Sequence, residues 1–200
     1  SGYDLIITGR RSERLQDISN DLSSKFNTKV LSLCFDVRDS AAVTKAFESI
    51  PSEWKNWTVL VNNAGLALGR ESLEMGNLED WNQMIDTNVK GLLYVTKAAV
   101  HVMKENGGGT IINIGSIAGK ECYPGGNVYS ASKFAVDSLT RSMRIDFVPY
   151  NIRVGQIAPG AANTEFSIVR FKGDQEKSES VYKGFVPLSA DDIAEAAWFM

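Results

Sequence analysis

An α/β fold, with helices on both faces of a parallel sheet, is what this 200-residue chain predicts. Three observations carry the prediction. Short β-branched apolar runs alternate with longer stretches of helical periodicity; the runs are apolar at successive positions, as suits strands buried on both faces; and the alternation holds along the whole sequence. Tyr3 to Thr8 reads as a strand ended by Gly9, and Ser12 as the cap of a helix to about Phe26. Val30 to Phe35 is a second strand, Asp39 or Ser40 caps a helix to about Ile50, and Val59 to Val61 is a third strand. Asn77, with Asp80 three residues on, opens a long helix on which Trp81, Ile85, Val89 and Leu92 recur at helical spacing. It is expected to run to about Lys104, where Gly107-Gly108-Gly109 breaks it. Thr110 to Ile114 forms a fourth strand, Asn127 to Phe147 a helix, and Ile152 to Ile157 a fifth strand. Pro159 to Pro187 is the least regular stretch, and Ser189 with Asp192 caps a last helix still running at Met200.

Composition narrows the function. With 44% hydrophobic residues the chain supports one core, read as a single domain over residues 1–200. A formal net charge of −3 gives no broad basic surface for nucleic acid or an anionic membrane. No stretch approaches the ~18 apolar residues of a membrane span, and the residues that open the sequence lack the basic and apolar regions expected of a secretion signal. Cys34 and Cys122 lack the spacing of a metal site or a disulfide framework and read as reduced thiols of a cytoplasmic protein. No metal is expected. His101, the single histidine, reads as structural, and Trp54, Trp57, Trp81 and Trp198 as core or subunit packing.

Chemistry gathers on the second half of the chain. Tyr129 and Lys133 stand four apart on a helix, so both side chains share a face. A phenol with an ordinary pKa of about 10 is a poor base near neutrality, and a nearby ammonium favours the phenolate, the role this spacing gives Lys133. Ser116 follows the fourth strand, at the carboxyl edge of the sheet where open α/β folds bind ligands. Its hydroxyl would hold a substrate oxygen while Tyr129 exchanges a proton with that oxygen.

Other residues fall into the same order. Asn62-Asn63-Ala64-Gly65 follows the third strand, Asn88 lies in the next helix, and Pro159-Gly160 follows the fifth strand. With Ser116 and Tyr129-Ser130-Ala131-Ser132-Lys133, this arrangement resembles the short-chain dehydrogenases/reductases over essentially the whole chain. The resemblance implies a Rossmann-type, doubly wound, three-layer α/β/α fold and hydride transfer between a nicotinamide cofactor and an alcohol or carbonyl compound. It assigns Asn88, Ser116, Tyr129 and Lys133 to catalysis, with Asn88 holding a water that links Lys133 to solvent and Lys133 also contacting the nicotinamide ribose. The family's T-G-x-x-x-G-x-G turn has no counterpart here. It would lie upstream of Ser1, after a strand central in the sheet, so the native protein is expected to extend beyond both given ends.

In Thr8-Gly9-Arg10-Arg11 no acid occupies the position that would bind a ribose 2′-hydroxyl, and an arginine there accepts a 2′-phosphate. Arg10 is the expected main contact and Arg11 the second, which selects NADP(H). By the resemblance Asp36 and Val37 cradle adenine, Asn62, Ala64 and Gly65 line the ribose, and Pro159, Gly160 and Thr164 complete the cofactor site with Tyr129 and Lys133. Tyr123-Pro124-Gly125-Gly126 and the loop to Gly173 further resemble the NADP-dependent 3-hydroxy acid and serine dehydrogenase subgroup. That likeness implies a small hydroxy acid such as serine or allo-threonine, or the matching semialdehyde, as substrate, and another small alcohol or carbonyl compound is the alternative. A carboxylate needs a cation, which Arg170 or Lys172 would supply beside Ser116 and Tyr129. Ala158, Ala161, Ala162 and Asn163 depart from the subgroup. A noncatalytic NADP-binding regulator would usually have lost the tyrosine or the lysine, and an epimerase or dehydratase would carry a large C-terminal domain. The family commonly forms dimers or tetramers through the helices around 77–104 and 127–147.

Overall fold

The computed structural model describes residues 2–200. Five strands, β1 (Leu5–Gly9), β2 (Val30–Cys34), β3 (Val59–Asn62), β4 (Gly109–Ile114) and β5 (Ile152–Ile157), alternate with helices as expected. The helices are α1 (Ser12–Phe26), α2 (Ser40–Glu48), α3 (Leu78–Ile85), α4 (Leu92–Glu105), α5 (Asn127–Phe147), α6 (Glu165–Arg170), α7 (Gln175–Ser180) and α8 (Ala190–Phe199). All strand pairs are parallel. β1 pairs with β2, Leu5 opposite Val30, and β4 lies between β3 and β5, with Ile111 opposite Leu60 and Val154. Among the described residues β1 and β3 share no pairing, so the array is in two parts.

The main core shows why helices cover both faces. Ile111, Ile152 and Val154 pack with Val136 and Met143 of α5 and with Leu92 and Met103 of α4. Gly155 turns the opposite way, where an added Cβ would fall on Met200 at the end of α8. Period-two alternation along β5 therefore feeds one helix layer on each side. The strand's entry is fixed by Gly107-Gly108-Gly109, whose φ angles of 83°, 125° and 154° are open to glycine and strained for other residues.

Caps explain most helix starts. Asp39 accepts from the Ala41 and Ala42 amides, Asn77 from Glu79 and Asp80, and Ser189 forms a reciprocal capping box with Asp192. Ser12, expected as a cap, is instead the first residue of α1, and Arg11 occupies the cap position without a side-chain bond. The long helix expected from Asn77 to Lys104 is also corrected: a π-helical turn, Asp86–Gly91, separates α3 from α4. Gly91 fits that turn because a Cβ there would come within 2.7 Å of Val37 Cγ2. His101 is not a core residue; it is exposed and pairs with Glu105 one turn on. Trp198 is likewise exposed, edge-on to Tyr3.

Candidate active site

The carboxyl edge of β3, β4 and β5 presents three loops, and backbone bonds lace two of them together. Gly115 N donates to Ile157 O at 2.7 Å and Ile117 N to Pro159 O at 3.0 Å. Ser116 caps a one-turn 3₁₀ helix, Ile117–Gly119, by accepting from Ala118 N at 3.1 Å. That turn lies close against α5, since a Cβ on Gly119 would stand 2.6 Å from the Lys133 carbonyl oxygen. Tyr129, in the first turn of α5, is brought beside Ser116, with its ring 5.7 Å from that of Phe166. Lys133 follows one turn later, its Nζ donating to Ile114 O at 2.9 Å. Ser116, Tyr129 and Lys133 are all buried.

Burial dominates the electrostatics. It pushes the Tyr129 phenol above its ordinary value, opposed by the Ser116 hydroxyl and the Arg170 guanidinium. It brings the Lys133 ammonium from 10.5 down to about 8. The expectation that Lys133 holds Tyr129 toward phenolate is therefore not what this structure shows. Lys133 Nζ stands 6.0 Å from the Tyr129 ring centre and gives one hydrogen bond to the end of β4. A lysine whose folded pKa is depressed binds fewer protons folded than unfolded between the two values, so its contribution to stability grows as pH rises from about 8 to 10.5. The stability of the wild type minus that of Lys133→Met should rise over this window and stay flat below it, as measured by urea denaturation at pH 7, 9 and 10.5.

Asn88 lies in the π turn, buried, and its amide makes three hydrogen bonds. Oδ1 accepts from Leu66 N at 2.8 Å, and Nδ2 donates to Leu66 O at 2.8 Å and Ser132 Oγ at 2.9 Å. It clamps the loop after β3 to α5. Its two amide protons are both committed, and the second lone pair of Oδ1 is what the side chain has left for the water expected there. Asn62 turns its side chain into the core, donating to Thr96 Oγ1 and Asn113 Oδ1, which leaves the exposed Ala64 and Gly65 as the strip facing the cleft. A Cβ on Gly65 would stand 3.3 Å from Asn88 Oδ1 and 3.5 Å from Lys133 Nζ.

The residues expected around the cofactor surround the ends of β1, β2 and β5. Arg10 and Arg11 are exposed, Arg10 lying 3.7 Å from Asp36, which is held more closely by Arg38. Val37 packs against Gly91. Pro159 and Gly160 follow β5, and Thr164 caps α6 through Phe166 N. Sequence reasoning missed Arg38, Arg14 and Glu165. Arg14 and Arg11, at the start of α1, grip Glu165 at the start of α6 and hold its carboxyl down at about 2. The two expected substrate cations separate: Arg170 is buried over the Tyr129 ring, whereas Lys172 is exposed and bound to Asp80. No cluster of metal-ligating side chains occurs among the described residues.

Fold, site order and comparison agree on the class: the short chain dehydrogenase model matches residues 1–175, and the chain belongs to that family of oxidoreductases. It is 47% identical, over its full length and 79% of the relative's, to the NADP-dependent 3-hydroxy acid dehydrogenase YdfG of Shigella flexneri. It is 43% identical, with the same coverage, to sulfoacetaldehyde reductase 2 of Chromohalobacter salexigens. Among solved structures it resembles the closed form of a serine dehydrogenase complexed with NADP+, with a TM-score of 0.92 and 46% identity over 99% of this chain and 79% of that one.

Proposed function

We propose that this protein is an NADP(H)-dependent dehydrogenase that oxidises a small 3-hydroxy acid, such as serine or allo-threonine, or reduces the matching semialdehyde. The observation that carries the proposal is the convergence of Ser116, Tyr129 and Lys133 in one buried corner at the carboxyl edge of the sheet. The exposed Arg10 guanidinium at the end of β1 suits a 2′-phosphate, which Arg11 would join by exchanging its Glu165 partner, and the open Ala64-Gly65 strip suits a ribose beside Lys133. NADP(H), when bound, supplies or accepts the hydride. Asp36 and Val37 would flank its adenine, the backbone of Asn62, Ala64 and Gly65 its ribose, and Pro159, Gly160 and Thr164 its nicotinamide half.

The chain's own residues handle the oxygen. Ser116 holds it by a hydrogen bond. Tyr129, kept protonated by burial, gives its phenolic proton to a carbonyl oxygen in reduction; in oxidation the phenol first passes its proton on toward the neutral Lys133 amine, and the phenolate then takes the hydroxyl proton. Lys133, near pKa 8, is poised to return that proton, and Asn88 keeps the neighbouring loop in place. NADPH consumption with a panel of small semialdehydes is the test, and binding of NADPH without turnover of any carbonyl or alcohol would overturn the reading. Arg10→Ala should raise the KM for NADPH at least about 10-fold more than that for NADH. Equal effects would remove Arg10 from the phosphate site.

The same proposal places the chain as one domain over residues 1–200 in a homodimer or homotetramer in the cytoplasm. Exposed Leu93 on α4 and Phe134 and Ile145 on α5 support the assembly, and light scattering gives the number of subunits. Two unpaired, exposed thiols, Cys34 and Cys122, suit a reducing compartment. No helix is long and apolar enough to cross a membrane among the described residues.

A further inference from the structure

Arg170 ends α6 and is buried, yet no carboxylate among the described residues pairs with it. Its Nε donates to Gly69 O at 2.9 Å, and Gly69 N returns a bond to Arg170 O at 3.0 Å, so the side chain is fixed at its base. The guanidinium carbon lies 5.5 Å from the ring centre of Tyr123 and 5.7 Å from that of Tyr129. Nη2 is buried without a hydrogen-bond partner. Aromatic faces compensate part of a buried cation's lost hydration, but they leave the N–H groups unanswered. Such an arrangement is costly in the empty protein and is answered by an anion that arrives with the ligand.

We infer that Arg170, rather than Lys172, binds the acid group of the substrate and sets the enzyme's preference for a short anionic alcohol over a neutral one. Lys172, exposed and committed to Asp80, has no such role. The inference rests on the proposed dehydrogenase reading and adds to it the group that recognises the acid. Chain length follows from the same geometry. In a 3-hydroxy acid two carbon–carbon bonds of about 1.5 Å separate the hydroxyl carbon from the carboxyl carbon, a span on the order of 2.5 Å. With the hydroxyl at Ser116 and Tyr129, the acid group of so short a chain stays beside the tyrosine ring that Arg170 covers.

The test compares 3-hydroxypropionate with 1,3-propanediol, a neutral alcohol of similar size, in the wild type, Arg170→Met and Arg170→Lys, with NADPH fluorescence reporting the folded site. The acid-to-neutral ratio of kcat/KM should fall about 30-fold in Arg170→Met, mainly through KM for the acid, and by less in Arg170→Lys. Free guanidinium added to Arg170→Ala should restore 3-hydroxypropionate turnover and leave 1,3-propanediol turnover where it was. A ratio unchanged in both variants overturns the inference and leaves the dehydrogenase reading intact. Should Arg170→Met fail to fold, the ratio in Arg170→Lys decides alone. Wild-type protein that turns over neither compound nor any semialdehyde overturns the reading beneath it.

Discussion

Tyr129→Phe is expected to lower kcat on the order of 10³-fold while leaving cofactor affinity and the fold close to those of the wild type. The substitution removes one oxygen. The ring keeps its place 5.7 Å from Phe166 and beneath Arg170, so the packing that holds the first turn of α5 survives. What is lost is the phenol standing beside the Ser116 hydroxyl in the buried corner, and with it the proton that the substrate oxygen must gain or lose. Single-turnover absorbance of NADPH reads the chemical step, and fluorescence titration reads binding. A fall smaller than 10-fold would mean that another group carries the proton, and Lys133 would be the one to examine.

The second large effect concerns the frame beneath that corner. Asn113 of β4 is wholly buried, accepting from Asn62 Nδ2 at 2.8 Å and donating to Thr140 Oγ1 at 2.9 Å. Asn62 also reaches Thr96, so one polar network ties β3, β4, α4 and α5 together in an apolar core. Asn113→Ala opens a cavity and strips a partner from Asn62 and Thr140 together. A cost of about 3 kcal/mol follows, to be read from the shift in urea midpoint at unchanged slope. Asn113→Asp should also destabilise, because one oxygen must then face the Thr140 hydroxyl, which already donates to Val136 O. A loss below about 1 kcal/mol for Asn113→Ala would show the network to be dispensable.

The strands and caps were legible because short-range chemistry decides them. The bounds of α5 and β5 fell where the sequence placed them, and Asp39, Asn77 and Ser189 cap as their positions suggest. Ser116, Tyr129 and Lys133 were legible as a set because they hang on adjacent elements whose order fixes their meeting. What escaped depends on distance or depth. Arg14 and Glu165 are 151 residues apart in sequence, and nothing local announces their pairing. Lys133 was read as a charge acting on Tyr129, whereas burial proved the stronger influence on both groups, and burial is a property of the finished core. Arg170 and Lys172 look alike in the sequence; one turn of backbone buries the first and leaves the second in solvent. The π turn escaped because Trp81, Ile85, Val89 and Leu92 satisfy an ordinary helical spacing.

That widened turn acts as a phase shifter. Each residue of an α-helix advances the side-chain direction by about 100°. The extra residue in Asp86–Gly91 therefore rotates every side chain of α3 about the helix axis relative to α4. Met84 of α3 faces the pocket cluster with Leu66 and Tyr129, while Leu92 and Met103 of α4 face the sheet. An unbroken helix would set Met84 and Leu92 about 80° apart around the axis, and the extra residue brings them to within about 20° of each other. Asn88 sits at the point of rotation, its amide locked to Leu66 and Ser132, so the residue that steadies the reaction corner also marks where the helix changes register.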